Sequence, residues 1–157
     1  MEMTTMNMKI EPLDADLELE GLLDLCQLPS DDIYNPALQF FGVKRAGKLV
    51  AVIGLEPYDA IALLRSLAVL PDYRSLGLAK KLVRFIENQA LQQGVHELYL
   101  LTTTASNFFR VQGYQLVERI QTPACIQQTA QLSRLCPATA LVLMKRLVTR
   151  SGTRLAE

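Results

Sequence analysis

The sequence predicts an α/β fold, a mixed central sheet of about six to seven strands flanked by helices. Three observations predict it. Short apolar runs (Leu38 to Lys44, Leu49 to Leu55, Ile61 to Leu70, Leu98 to Leu101) alternate with turn signals. One long helical pattern, Gly77 to Gln93, stands between two of those runs. Strand, helix and strand in succession imply a right-handed parallel crossover. Half of the 157 residues are hydrophobic, which suits one domain with a real core, here expected over 1–147 with a polar tail at 148–157.

The elements follow in chain order. Asn7 to Leu13 is short and mixed and suits a first strand. Asp14 to Cys26 sets Leu17, Leu19, Leu22, Leu23 and Leu25 near helical spacing, with Asp14 as the candidate cap. Pro29 to Asp32 break or restart that helix, and Ser30 is placed to cap a short second one. Arg45 to Lys48, with Gly47, joins two apolar runs as a β-hairpin turn. Pro71 stops the run from Ile61 to Leu70, which is too short for a helix and reads as a strand. In the helix Gly77 to Gln93, Leu78, Leu82, Phe85, Ile86 and Ala90 form the buried stripe, and Gly94 is the stop. A strand at Leu98 to Leu101, a helix at Ser106 to Val111 and a strand at Tyr114 to Val117 come next. Thr122 caps and Pro123 opens an irregular helical stretch to about Leu135, and Thr139 to Leu147 closes the sheet.

Composition narrows the function. Sixteen basic residues balance sixteen acidic ones and there is no Trp, so general nucleic-acid binding is not expected. Three cysteines without a CxxC pair point to a reducing compartment, and a single His argues against a His-ligated zinc site. The first residues carry no apolar signal segment, and no apolar run approaches the ~20 residues that span a bilayer. The expectation is a cytoplasmic chain without a metal, without nucleic-acid or membrane partners, and free to pair with itself.

The stretch LAVLPDYRSLGLAKKL, from Leu67 to Leu82, carries the chemistry. It runs from strand through loop into helix. Backbone N–H groups at a helix start lack partners inside the helix, and the aligned peptide dipoles leave that end partly positive. Such a place binds phosphate. Gly77 allows close backbone approach, Ala79 keeps the first turn narrow, Arg74 adds a planar fork of donors, and Lys80 and Lys81 add charge. Neither GxxxxGK[ST] nor GxGxxG is present. An ordinary strand–helix turn with a solvated arginine stands beside the diphosphate cradle as a reading.

The pattern Val69-x-Pro71-x-x-Arg74-x-x-Gly77-x-Ala79 resembles the acetyl-CoA motif of the GNAT family of N-acetyltransferases, and the element order resembles that family's over nearly the whole chain. The resemblance implies the GNAT acyl-CoA N-acyltransferase fold and acetyl-CoA as cosubstrate. It implies that the backbone of Leu67, Ala68 and Val69 pairs with the pantetheine arm. It implies too that the loop Arg74, Ser75, Leu76, Gly77, Leu78 and Ala79 holds the pyrophosphate, with Ser75 standing where many members have a second glycine. The segment LTTTASNFFRVQGY is similar to a second family element through Ala105, Phe108 and Gly113. Thr102 replaces its usual Asn, and Phe109 replaces the Tyr that can protonate the leaving thiolate. Other stretches resemble acetyltransferases of arsenic-resistance operons and the acetyltransferase domain of N-acetylglutamate synthase. Both imply a small amino-acid-like amine as acceptor.

Glu56, at the end of the strand from Leu49, is the candidate base, direct or through water; a surface carboxylate is the plainer reading. Arg65 lies in an apolar run, where alternation places it on the face of Leu67 and Val69, with Ser66 opposite. It either grips an anionic acceptor or pairs with an acid such as Glu56. Tyr58 is the candidate replacement acid. Thr102 to Thr104 either donate to ligand or satisfy local backbone. His96 is expected to face solvent, and Cys136 to fill apolar space. Acetylation of a protein amine, an acyl-CoA-binding module without catalysis and a plain nucleotide binder stand as the rival functions.

Overall fold

In a computed structural model the chain is described for residues 8–135 and 138–148, with Arg134 and Leu135 as backbone alone. Asn7, Cys136 and the tail from 149 onward, all of which entered the sequence reading, lie outside the described residues. Seven strands form one sheet: β1 (Ile10–Leu13), β2 (Gln39–Arg45), β3 (Lys48–Tyr58), β4 (Ile61–Val69), β5 (Glu97–Thr102), β6 (Gln115–Val117) and β7 (Leu141–Arg146). Their order is β1-β2-β3-β4-β5-β7-β6. The helices are α1 (Leu17–Leu25), α2 (Leu78–Gln92), α3 (Ser106–Val111) and α4 (Ala124–Gln127). The chain divides into two compact units, Met1–Leu55 with Ser66–Ile86, and Glu56–Arg65 with Glu87–Glu157.

In the first unit, β1 and β3 flank β2 antiparallel. The β2–β3 hairpin turns on Ala46 and Gly47, both at positive φ (52° and 79°), with Arg45 opposite Lys48. A two-residue turn of that hand matches the twist of the strands it joins, so Gly47 was the informative residue. The cap of α1 is Asp16, whose carboxylate accepts from Leu19 N at 2.9 Å; Asp14, the sequence candidate, lies outside the helix. Leu19, Leu22 and Leu23 are buried, but Leu17 and Leu25 are exposed, so the apolar stripe is narrower than the leucine spacing suggests. No helix follows Ser30: residues 31–34 and 36–37 are turns, and the Ser30 hydroxyl donates to Asp24. The core of this unit joins α1 to Phe40, Leu49, Val52 and Ala68, with Ile33 and Leu38. Each fully buried Leu or Ile here contributes about 1.5–3 kcal/mol.

In the second unit, β4 pairs parallel with β5 from Ile61 opposite Glu97 to Leu63 opposite Tyr99, the arrangement a crossover requires. β7 lies antiparallel between β5 and β6. Its core gathers Leu63, Tyr99, Ile126, Leu132 and Val142. α3 occupies the predicted span. α4 starts one residue later than expected: Pro123 is the cap, and the Thr122 hydroxyl donates back to the Arg119 carbonyl at 2.7 Å. A proline with ψ 151° is extended, so it cannot be the first helical residue here. β7 is shorter than Thr139 to Leu147, and β6 starts after Tyr114.

α2 buries the predicted Leu78, Leu82, Ile86 and Ala90, and Val83 as well, while Phe85 is half-buried with its ring edge-on to Phe41 at 5.1 Å. Gly94 N donates to Leu91 O and Val95 N to Ala90 O, the paired bonds that finish a helix on a left-handed residue. Among the described residues no helix is long and apolar enough to cross a membrane.

Candidate functional site

In the first unit, β4 ends at Val69, and Pro71–Tyr73 forms one tight turn closed by Tyr73 N on Leu70 O and Arg74 N on Pro71 O. Arg74 is extended; Ser75 and Gly77 then take positive φ, 70° and 80°. Serine accepts that conformation at a cost of about 1–2 kcal/mol that glycine avoids. A Cβ on Gly77 would meet nothing within 4 Å, so its glycine is needed for φ rather than for space. The side chain of Leu78 is buried and anchors the start of α2. Among the described residues no protein group accepts from the N–H groups of Ser75 to Lys80, and residues 74–77 are exposed. A run of such donors at the positive end of a 15-residue helix can bind an anion.

Two cations behave differently from the sequence reading. The Arg74 guanidinium folds back: Nε donates to the Val69 carbonyl at 2.9 Å and Nη2 lies 3.6 Å from Cys26 Sγ. The Cys26 thiol also lies 3.8 Å from that carbonyl. The Val69 oxygen, one of the groups expected to face the pantetheine arm, therefore already has partners. Lys81 Nζ donates to Met8 O at 2.8 Å, so its charge serves the start of β1; Lys80 is exposed. Cys26 was missed as part of this region. It lies 48 residues before Arg74, and nothing in its surrounding sequence signals the contact.

In the second unit, Glu56, Tyr58 and Arg65 form one cluster. Arg65 Nη1 donates to Glu56 Oε1 at 3.1 Å, and the Tyr58 hydroxyl donates to Glu56 Oε2. Glu56 is 5% exposed and Arg65 3%. Between the two sequence readings of Arg65, the structure shows the pair with Glu56. The expected alternation also fails: Ser66 sits at φ 61°, which interrupts the period of two between Arg65 and Leu67. Glu56 is no surface carboxylate. Burial, followed by the hydrogen bond to Glu56, pushes the Tyr58 phenol well above its ordinary value, so it stays protonated at neutral pH. Burial and the Glu97 charge push Tyr99 up to about 12.

Several of the remaining candidates have local partners. Thr102 Oγ1 accepts from Ala105 N at 2.9 Å and so holds the turn into α3, a task an Asn side chain can also perform. Phe109 is buried, edge-on to Phe108 and Tyr114, and has no proton to donate. The Tyr114 hydroxyl donates to Glu87, which also holds Lys145 Nζ at 3.1 Å. His96 bridges backbone: its N donates to Ala60 O and its O accepts from Leu147 N. Among the described residues no group of three or more His, Cys, Asp or Glu is placed to hold a metal.

Comparison with known proteins points one way. The sequence profile described as "Acetyltransferase (GNAT) family" matches residues 7–115. An amino-acid acetyltransferase of Pasteurella multocida is 32% identical over 109 residues, covering 68% of this chain and 24% of that protein. The chain spans a quarter or less of the length of the curated relatives it matches first. By structure, the N-acetylglutamate synthase of Neisseria gonorrhoeae, solved with coenzyme A and N-acetyl-glutamate, superposes with a TM-score of 0.74 at 17% identity, over 90% of this chain and 36% of that one. An acetyltransferase of Streptococcus agalactiae gives 0.72 at 21% identity, over 89% of this chain and 98% of the other. The fold is shared with both.

Proposed function

The chain belongs to the acetyltransferase (GNAT) family, and from that premise we propose that it moves acetyl from acetyl-CoA to the primary amine of a small amino-acid-like acceptor, by direct transfer in one ternary complex. The observation that carries this reading is the run of N–H donors from Ser75 to Lys80 at the start of α2, to which no group among the described residues offers an acceptor. It suits the paired phosphates of CoA, with Arg74 beside it as an added cation. Leu67, Ala68 and Val69 are assigned the pantetheine arm by family resemblance. A strand N–H such as that of Leu67 is assigned the thioester oxygen, the oxyanion donor that acyl transfer needs.

Glu56 is assigned the base. Arg65 then orients Glu56 through their 3.1 Å contact; this replaces a direct grip on the acceptor as its first role. Relatives named for amino-acid acetylation support the acceptor class. So does the energy of freeing the amine. A lysine side chain costs about 4.6 kcal/mol to deprotonate at pH 7, and a peptide α-amine near pKa 8 costs about 1.4. A free amino acid lies between, within reach of one carboxylate.

Two measurements test the reading. Calorimetry with CoA is expected to give binding that an alanine at Arg74 weakens. Thiol release from acetyl-CoA is expected to depend on a free amino acid such as L-glutamate and to be slower with a lysine peptide. Binding of CoA with no acceptor-dependent thiol release would replace the enzyme by an acyl-CoA-binding module, the reading that Phe109 favours.

A further inference from the structure

Glu56 as the base raises a difficulty. Its carboxylate is almost fully buried, one oxygen is bound by Arg65, and the other accepts from Tyr58. An acceptor amine that must lose a proton needs a way to that carboxylate. Tyr58 is half-buried where Glu56 is not, and its ring packs on the apolar core of the second unit, which fixes the direction of its hydroxyl. Its proton already points at Glu56 Oε2, and its oxygen keeps lone pairs to accept another.

We infer that Tyr58 is a further catalytic residue, a proton relay whose hydroxyl accepts from the acceptor's ammonium group while passing its own proton to Glu56. The inference rests on the acetyl-transfer reading. In the step, one N–H bond of the ammonium breaks and its electron pair stays on nitrogen. That proton bonds to Tyr58 Oη, the original Tyr58 O–H breaks, and its proton ends on Glu56 Oε2. Tyr58 is neutral before and after. The free amine then attacks the thioester carbonyl, the C–S bond breaks with its electrons leaving on sulfur, and the second nitrogen proton ends on the thiolate. Glu56 returns to its ionised form by the reverse relay: its proton passes to Tyr58 Oη as the Tyr58 proton passes to water. The raised pKa of the phenol agrees with this role, because it keeps Tyr58 in the neutral form that can donate and accept together. A tyrosinate base would need the opposite shift.

The test is steady-state thiol release with acetyl-CoA and L-glutamate across pH, for the wild type and Tyr58→Phe. The variant is expected to lose about 10²-fold in kcat at pH 7 with an unchanged KM for acetyl-CoA. Its kcat should then climb about tenfold per pH unit toward the amine pKa, where the relay is no longer needed, while the wild type flattens earlier. A variant within about twofold of the wild type, or one reduced equally at every pH, overturns the relay while leaving acetyl transfer intact. Wild-type chain that releases no thiol with any primary amine overturns both. Because Tyr58→Phe leaves the buried Glu56 carboxylate one donor short, the wild type carries a second readout that does not depend on the variant. In mixed H2O and D2O, a relay moving two protons gives a bowed dependence of kcat on deuterium fraction, and a straight line overturns it.

Discussion

Replacing Arg65 with leucine should unfold a large part of the second unit's stability, and the structure sets the size of the effect. The Arg65–Glu56 contact is 3.1 Å, and the two side chains are 1% and 6% exposed. At an effective dielectric of about 20, unit charges about 4 Å apart attract by about 4 kcal/mol. Removing one partner strands the other charge away from water, at a cost of about 3–5 kcal/mol. The lower end applies here, since Tyr58 still donates to Glu56 in Arg65→Leu. The double variant Glu56→Leu, Arg65→Leu leaves neither member of this pair without the other. It should stand well above either single variant, close to or even beyond the wild type. Urea denaturation of the four proteins gives the coupling energy, expected at about 3 kcal/mol. Any other contact of Arg65 is lost in both variants that lack it and cancels from that difference. Additive losses, or an Arg65→Leu protein within about 1 kcal/mol of the wild type, would refute the claim that burial makes this pair interdependent.

Three further outcomes follow from other parts of the molecule. Gly77→Ala meets no atom, so its cost is the positive φ alone: about 1–2 kcal/mol, less about 0.4–1 regained from a stiffer unfolded chain. A net loss near 1 kcal/mol in denaturation, with weaker CoA binding by calorimetry, is expected. Asp16→Ala removes the α1 cap and should cost about 1 kcal/mol, whereas Asp14→Ala should cost almost nothing in the same assay. At high pH the tyrosines act. The folded chain holds the Tyr99 proton to about 12 against an ordinary 10, so the stabilisation is complete below pH 10 and is lost as pH rises through 12. Denaturation midpoints should fall over that window, and Tyr99→Phe should flatten the fall.

Elements held by local chemistry were legible in the sequence. Gly47 gave the hairpin its turn, Gly94 ended α2, and the Ser106 to Val111 helix kept its predicted bounds. Where two local signals competed, the sequence was ambiguous. Asp14 and Asp16 are both acceptable caps, and only the position of Leu19 N decides between them. Ser30 has the residue type of a cap, but its hydroxyl is used by Asp24 at 2.7 Å, and the chain after it turns twice without forming a helix. Thr122 has the same ambiguity, resolved by the Arg119 carbonyl.

The candidate site divides along the same line. The donors of residues 75–80 were readable because they depend on one junction of strand, loop and helix, and glycine marks it. The partners of the charged side chains were only partly readable. Arg74 finds Val69 and Cys26 and Lys81 finds Met8, partners that packing chose, whereas Arg65 finds Glu56, one of the two readings its sequence left open. Strand alternation was the only local argument about Arg65, and it required an unbroken strand. Ser66 at φ 61° breaks it with a residue type that rarely signals such a turn. A long cation in a mostly apolar chain goes to whichever acceptor the fold buries beside it, because an unpaired buried acceptor costs more than a solvated one. Sequence therefore marks the backbone junction that could hold an anion, and it narrows what an arginine such as Arg65 binds to two partners without choosing between them.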